Sequence, residues 1–268
     1  MQQNYIATKD IKSYSQTVDK LRSFFKERGF IEMHTQDRLS ILAACEDPTT
    51  IATFTYAGEV WPLPQTGQMW LEYELLRDPQ INGVFCVSTS FRNEQNPIPG
   101  RHNIIFPMFE FESKGTIEDL RELEKDLCKH LGFDEKSVHH TYDELANHYG
   151  TDELTSEHEM KMKDDFSPVT FIETFPQRTS PFWNMRRNGD YANKIDVILY
   201  GMETIGSAER STNKEEMSER FHTISDGGYA KKLYDAFGEA RVERELNDFL
   251  SFDFFPRFGG GIGLTRLM

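Results

Sequence analysis

Residues 91–112 read FRNEQNPIPGRHNIIFPMFEFE, the end of an apolar run, a turn and the start of a second alternating run. Arg92 and Glu94 occupy alternate positions, which on a strand sets both side chains on one face. QNPIPG has turn chemistry, so the chain reverses there and returns His102 and Phe106 beside Arg92. A guanidinium meets phosphate oxygens bidentately, and an aromatic ring offers a face on which a purine can stack. The set suits a bound nucleotide, with Arg101 or His102 meeting distal phosphates. An ordinary hairpin with surface ion pairs would show the same charges, and such pairs contribute little to stability.

Outward from this stretch, NGVFCVSTSF has the β-branched and aromatic bias of a buried strand. On the other side, TIEDLRELEKDLCKHLGF predicts a helix with Thr116 as cap, acids in the first turn, and Ile117, Leu120, Leu123, Leu127 and Leu131 on its buried stripe. Residues 11–28 predict another helix stopped by Gly29, leading into a strand in FIEMHTQ whose register is left open. ATFTYAGEV reads as a hairpin, and LPQTGQMWLEYELLRD as a loop entering a helix that carries Met69, Leu71, Leu75 and Leu76. Residues 135–165 are polar and acidic and read as surface helices and loops. VTFIETFP, KIDVILYGMET and FGGGIGLTRLM restore strand character. Strands and helices mix without strict βαβ alternation, so the expected class is α+β: a mostly antiparallel β-sheet flanked by helices, in one domain over residues 1–268.

The chain carries 44 acidic against 30 basic residues, a formal net charge of −14. That argues against a broad basic surface for a long nucleic acid, whereas a small phosphate ligand needs only a few local cations. Cys45, Cys86 and Cys128 form neither a metal-ligand spacing nor an even disulfide set, which suits a reducing compartment. No apolar run nears the ~18 residues of a membrane helix, and the N-terminus lacks a signal core. A cytoplasmic location is therefore expected.

Two further stretches carry chemistry. GGGIGLTR places glycines at 259, 260, 261 and 263 before Arg266, so that backbone can approach a ligand and Arg266 can reach a phosphate. It matches neither a Walker loop nor a dinucleotide fingerprint, and a strand-to-helix packing junction would also use these glycines. In DVILYGMETIGSAER, Asp196 and Glu203 can hold Mg²⁺, and Arg210 can meet an acidic or amide side chain. Solvated surface acids are the bland alternative.

Taken in order, these blocks resemble the class II aminoacyl-tRNA synthetases of the aspartyl, asparaginyl and lysyl subgroup. FRNE…RHNIIFPMFEFE is similar to motif 2, GGGIGLTR to motif 3, and DVILYGMETIGSAER to the block before motif 3. TGQMWLE at 66–72 and RH followed by Phe106 look most like asparaginyl enzymes. The resemblance runs from about Ile11 to Met268. It implies that Arg92 binds the ATP α-phosphate, Glu94 contacts the adenine amino group, and Phe106 and Arg266 stack on either side of the base. It further implies His102 near the pyrophosphate, Asp196 and Glu203 on magnesium, and Gln68 and Glu110 on the amino acid's α-ammonium group. Arg210 would recognise a side-chain oxygen, Glu72 an asparagine NH₂, and Glu46 would act as a lid residue. A homodimer built on the first helix and strand is implied as well.

Departures from the pattern shape the expected activity. The anticodon-binding barrel that usually precedes this domain is expected to be absent, because the first catalytic helix is read to begin at about Ile11. Gln36 replaces a motif 1 proline, Arg257 stands where asparaginyl enzymes have His, and Leu71 where aspartyl enzymes have Lys. Three functions follow. The first is an Asx-type adenylate passed to a small acceptor such as ammonia, giving asparagine from aspartate; with Gln2 and no N-terminal cysteine, the nitrogen would be free ammonia. The others are tRNA charging and a non-catalytic synthetase-like module, the last opposed by the retained Arg92, Glu203 and Arg266.

Overall fold

The alternation Phe109-Glu110-Phe111-Glu112 sets the polarity of the molecule. In the computed structural model, which describes residues 10–35, 48–98, 103–133 and 136–268, these residues lie in strand β5 (Ile105–Lys114). Successive side chains face opposite ways. Phe109 and Phe111 enter the apolar core beneath the sheet, while Glu110 and Glu112, equally buried, stand on the other side.

β5 pairs antiparallel with β4 (Gly83–Phe91) and with β11 (Arg257–Gly263). The sheet continues antiparallel through β10 (Met202–Arg210), β9 (Tyr191–Leu199) and β7 (Val169–Pro176). Among the described residues parallel pairing occurs at the two ends only, where β1 (Ile31–Glu32) joins β4 and β6 (Val138–Thr141) joins β7; β8 (Arg187–Asn188) pairs beside β9. The expected mostly antiparallel sheet of an α+β fold is present. The ATFTYAGEV hairpin forms as β2 (Thr53–Tyr56) and β3 (Glu59–Pro62), a separate ribbon.

Helices α1 (Ile11–Glu27) and α3 (Ile117–Leu131) cover the apolar face. Leu21, Phe24 and Phe25 of α1, with Leu120 and Leu127 of α3, join Phe85, Phe109, Phe111, Val197 and Ile205 in one core. Asp10 caps α1 by accepting from the Lys12 N–H, and Thr116 with Asp119 forms a capping box on α3. One residue breaks the pattern. Glu124, on the covered side of α3, is fully buried, and burial pushes its carboxyl up to about 8.

On the polar face, α2 (Gln68–Arg77) buries the expected Met69, Leu71, Leu75 and Leu76. Residues 135–165 are more than surface. They supply β6 and the helices α4 (Tyr142–Tyr149) and α5 (Ser156–Asp165), whose Tyr142, Leu145, Ala146 and Met162 pack on Ile172 and Ile198. KIDVILYGMET breaks into two strands at Tyr200 and Gly201, both at positive φ (50° and 83°), the geometry of a tight hairpin turn. Three helices without a counterpart in the sequence reading, α6 (Lys214–Thr223), α7 (Gly228–Phe237) and α8 (Glu239–Leu250), gather around Trp183 as a second core. The short α9 (Leu264–Leu267) follows β11. Among the described residues no helix is long and apolar enough to cross a membrane.

Candidate active site

Even-numbered residues of β5 and odd-numbered residues of β11 form the floor of a cleft. On β11, Gly259 lies opposite Glu112, Gly261 opposite Glu110 and Gly263 opposite Met108; Gly261 also lies opposite Gly206 of β10. A Cβ on Gly259 would sit 2.0 Å from Glu112 Cδ, and one on Gly260 would sit 2.7 Å from Ser207 Cβ. The glycine run, read in the sequence as a route for close ligand approach, thus first serves packing. Within it, Gly261 and Gly263 line the cleft.

The cleft has two lobes of about 410 and 300 Å³. Arg92, Met108, Glu203, Gly206 and Gly261 line both and form the junction. Glu94, Phe106 and Arg266 line the larger lobe with Ser156 and Glu159 of α5. Gln68, Glu72, Glu110, Asp196 and Arg210 line the smaller one with Asn184 and Lys194. Residues spread from 68 to 266 therefore converge as two sets. Gln36, Glu46, Arg101 and His102 lie outside the described residues.

Strand β4 ends at Phe91, and the Glu94 N–H donates to Arg92 O at 2.9 Å. The two residues thus occupy a tight turn, correcting the extended arrangement expected of them; the turn still leaves both lining the larger lobe. The Arg92 N–H donates to Ile104 O at 2.8 Å, closing the predicted reversal. The Arg92 guanidinium carbon lies 5.5 Å from the Phe106 ring centre. Arg266 Nη1 donates to Glu203 O at 2.7 Å and stands 3.9 Å from its carboxylate.

Asp196 and Glu203 meet because of a bulge. Asp196 pairs with Gly206, but the register between β9 and β10 shifts between Glu203 and Ile205. Without that shift, odd-numbered Glu203 would face away from Gly206; the extra residue, Thr204, turns it to the same side. A Cβ on Gly206 would lie 3.3 Å from Glu203 Oε1 and 3.5 Å from Asp196 Oδ1, so the two oxygens converge over one point. Two hard oxygen donors fit Mg²⁺, which commonly takes one or two carboxylates and completes its shell with water and phosphate. Lys194 Nζ lies 2.9 Å from Asp196 Oδ2.

The buried cations of the smaller lobe are already paired. Arg210 Nη2 donates to Glu112 Oε1 at 2.5 Å and Nε to the same oxygen at 3.1 Å. Arg210 thus meets an acidic side chain of the protein itself. Burial pushes the Glu112 carboxyl up to about 7, against the pull of Arg210 and with the Glu72 charge adding to the rise. Glu72 is in turn held by Arg257 and by Asn184, so both of its oxygens have partners. Glu110 accepts from the Gly67 N–H at 2.8 Å and from the Thr66 and Ser88 hydroxyls.

Sequence reasoning did not place Glu112, Lys194, Asn184 or Glu159 in the site. The FEFE alternation could have found Glu112, and the two-residue step before Asp196 could have found Lys194. Asn184 and Glu159 carry no local signal.

The sheet thus carries a two-lobed cleft with Arg92 where the lobes meet. The profile of the family described as "tRNA synthetases class II (D, K and N)" matches residues 3–268, and the chain belongs to that family. Among curated relatives, the aspartate–tRNA(Asp/Asn) ligase of Methanopyrus kandleri is 23% identical over 92% of this chain and 61% of its own length. The asparagine–tRNA ligase of Koribacter versatilis is 25% identical over 93% and 62%. The chain thus spans about three fifths of these relatives. Asparaginyl-tRNA synthetase from Pyrococcus horikoshii, solved with asparaginyl-adenylate, shares the fold at a TM-score of 0.77 and 18% identity, over 97% of this chain and 64% of that one.

Proposed function

We propose that the cleft forms an aminoacyl adenylate from Mg·ATP and an amino acid of the aspartate/asparagine type, and passes the acyl group to a small acceptor such as ammonia. The observation that carries this reading is Arg92 on the shared wall of the two lobes. A carboxylate oxygen held in the smaller lobe attacks the α-phosphorus of ATP held in the larger, and the bond to pyrophosphate breaks. Arg92 offsets the charge that develops on the phosphorus oxygens, so positioning and electrostatics supply the rate without a side-chain nucleophile. The acceptor nitrogen then attacks the acyl carbon, loses a proton and expels AMP. Making asparagine from aspartate and ammonia requires that the β-carboxylate be the one activated.

In this assignment Glu94 meets the adenine amino group, and Phe106 and Arg266 enclose the base. Gln68 and Glu110 hold the ammonium group of a substrate activated at its α-carboxylate, and Arg210 meets a distal oxygen. Magnesium, held by Asp196 and Glu203, would supply charge neutralisation to the phosphates. Arg101 or His102 meets the distal phosphates, and family resemblance assigns His102 to the pyrophosphate, Glu46 to a lid, and the α1 region to a homodimer interface.

The net charge of −14 favours a small acceptor over a polyanion. The relatives, ligases of aspartate and asparagine to tRNA, favour tRNA charging as a second reading. Amino-acid-dependent pyrophosphate exchange into ATP tests adenylation. Adding ammonia or tRNA and identifying the product separates the acceptors, and absence of exchange with every amino acid refutes the proposal.

A further inference from the structure

The smaller lobe holds a hydrogen-bond relay whose direction is set from one end. Arg257 has donors only. Its Nε lies 2.7 Å from Glu72 Oε2, and its Nη2 joins the same oxygen. Glu72 Oε1 accepts from Asn184 Nδ2 at 2.7 Å, and Met69 Sδ lies 3.5 Å from that nitrogen. Arg257, Glu72 and Asn184 are each no more than 1% exposed. Facing the acceptor-only carboxylate of Glu72, Asn184 must present its NH₂ and cannot flip. That leaves its carbonyl Oδ1 as a buried acceptor that no donor among the described residues reaches, in a residue that lines the lobe with Arg210. An unmatched buried acceptor is costly, and a ligand bringing an N–H removes the cost.

The geometry points to Asn184 as the residue that reads the distal group of the amino acid, selecting one that carries an N–H donor beside an acceptor for Arg210. This rests on the adenylation reading above. The carboxamide of asparagine has both features. Aspartate entering with its α-carboxylate toward Arg92 has no donor to offer, and sets an anionic oxygen against the Asn184 carbonyl. Aspartate turned end for end, with its β-carboxylate toward Arg92, presents its α-ammonium group and is admitted by the same chemistry. Glu72 and Arg257 are positioning residues that act through Asn184.

Glu72→Gln tests the relay. Arg257 still requires an oxygen, so the new amide turns its oxygen to Arg257 and its NH₂ to Asn184. Asn184 then flips and offers its own NH₂ to the lobe. Pyrophosphate exchange, with the acyl group trapped by hydroxylamine to tell α- from β-hydroxamates, reads the result. The parent is expected to activate asparagine, or aspartate through its β-carboxylate, with α-aspartyl hydroxamate at least about tenfold lower. Glu72→Gln should shift the ratio of kcat/KM values about ten- to a hundredfold toward the α-carboxylate of aspartate. The shift should vanish in an Asn184→Ala background, or in Asn184→Ser if the alanine variant does not fold by circular dichroism. Equal asparaginyl and α-aspartyl products from the parent, or a Glu72→Gln shift that persists without Asn184, would overturn the inference. Exchange with neither amino acid would instead refute adenylation itself.

Discussion

Substituting Gly259 by alanine probes the contact on which the site floor depends. The added Cβ would lie 2.0 Å from both Cδ and Oε1 of Glu112 and 2.4 Å from Oε2, closer than any real Cβ contact. Glu112 has nowhere to go, because it is fully buried and tied to Arg210 at 2.5 Å. Either the strands separate, an overpacking cost of about 1–3 kcal/mol, or the carboxylate leaves its partner, about 3–5 kcal/mol for a broken buried pair. The cheaper route still amounts to a large fraction of the roughly 5–15 kcal/mol that stabilises an ordinary domain. Gly263→Ala is the matched control: its Cβ would meet only the Arg266 side chain, at 3.4 Å, and its backbone sits at φ −73°. Urea denaturation of both variants should show a loss of about 2 kcal/mol or more for Gly259→Ala and under about 1 kcal/mol for Gly263→Ala. Equal midpoints for Gly259→Ala and the parent would refute the packing argument.

Arg92→Ala should lower pyrophosphate exchange by about two or more orders of magnitude, as loss of ~3 kcal/mol of transition-state stabilisation implies; parent-level exchange would remove Arg92 from the chemistry. Arg210→Leu should abolish exchange with both aspartate and asparagine, because it removes the distal oxygen's partner and strands Glu112; retained discrimination against leucine and lysine would place recognition elsewhere. Glu124, with a folded pKa of about 8 against an ordinary 4.5, holds a proton in the native state that the unfolded chain releases. Its contribution is full below pH 4.5 and declines as pH rises toward 8, by about 5 kcal/mol, and Glu124→Gln should flatten that part of the Tm profile. Sedimentation at micromolar concentration should show a dimer, and a monomer would remove the α1 region as an interface.

Much of the architecture is local and therefore legible in order along the chain. The FEFE alternation in β5 decides which face of the sheet is core, since side-chain direction has period two whatever the partner strand. The stripe and cap of α3, the turn at QNPIPG and the spacing of Arg92, Phe106, Asp196 and Arg266 are likewise one-dimensional signals. Register is not. That Glu203 shares a face with Asp196 depends on one extra residue at Thr204, which inverts every side chain beyond it. That Arg257 neutralises Glu72, 185 residues away, and that Arg210 neutralises Glu112, 98 residues away, depends on which strands and helices become neighbours. Such pairs form because a charge removed from water must find an opposite one, and only the assembled sheet determines which is within reach. The amino acids name the polar groups; the tertiary structure alone decides which are already spent on each other and which, like the Asn184 carbonyl, are left without a partner among the described residues.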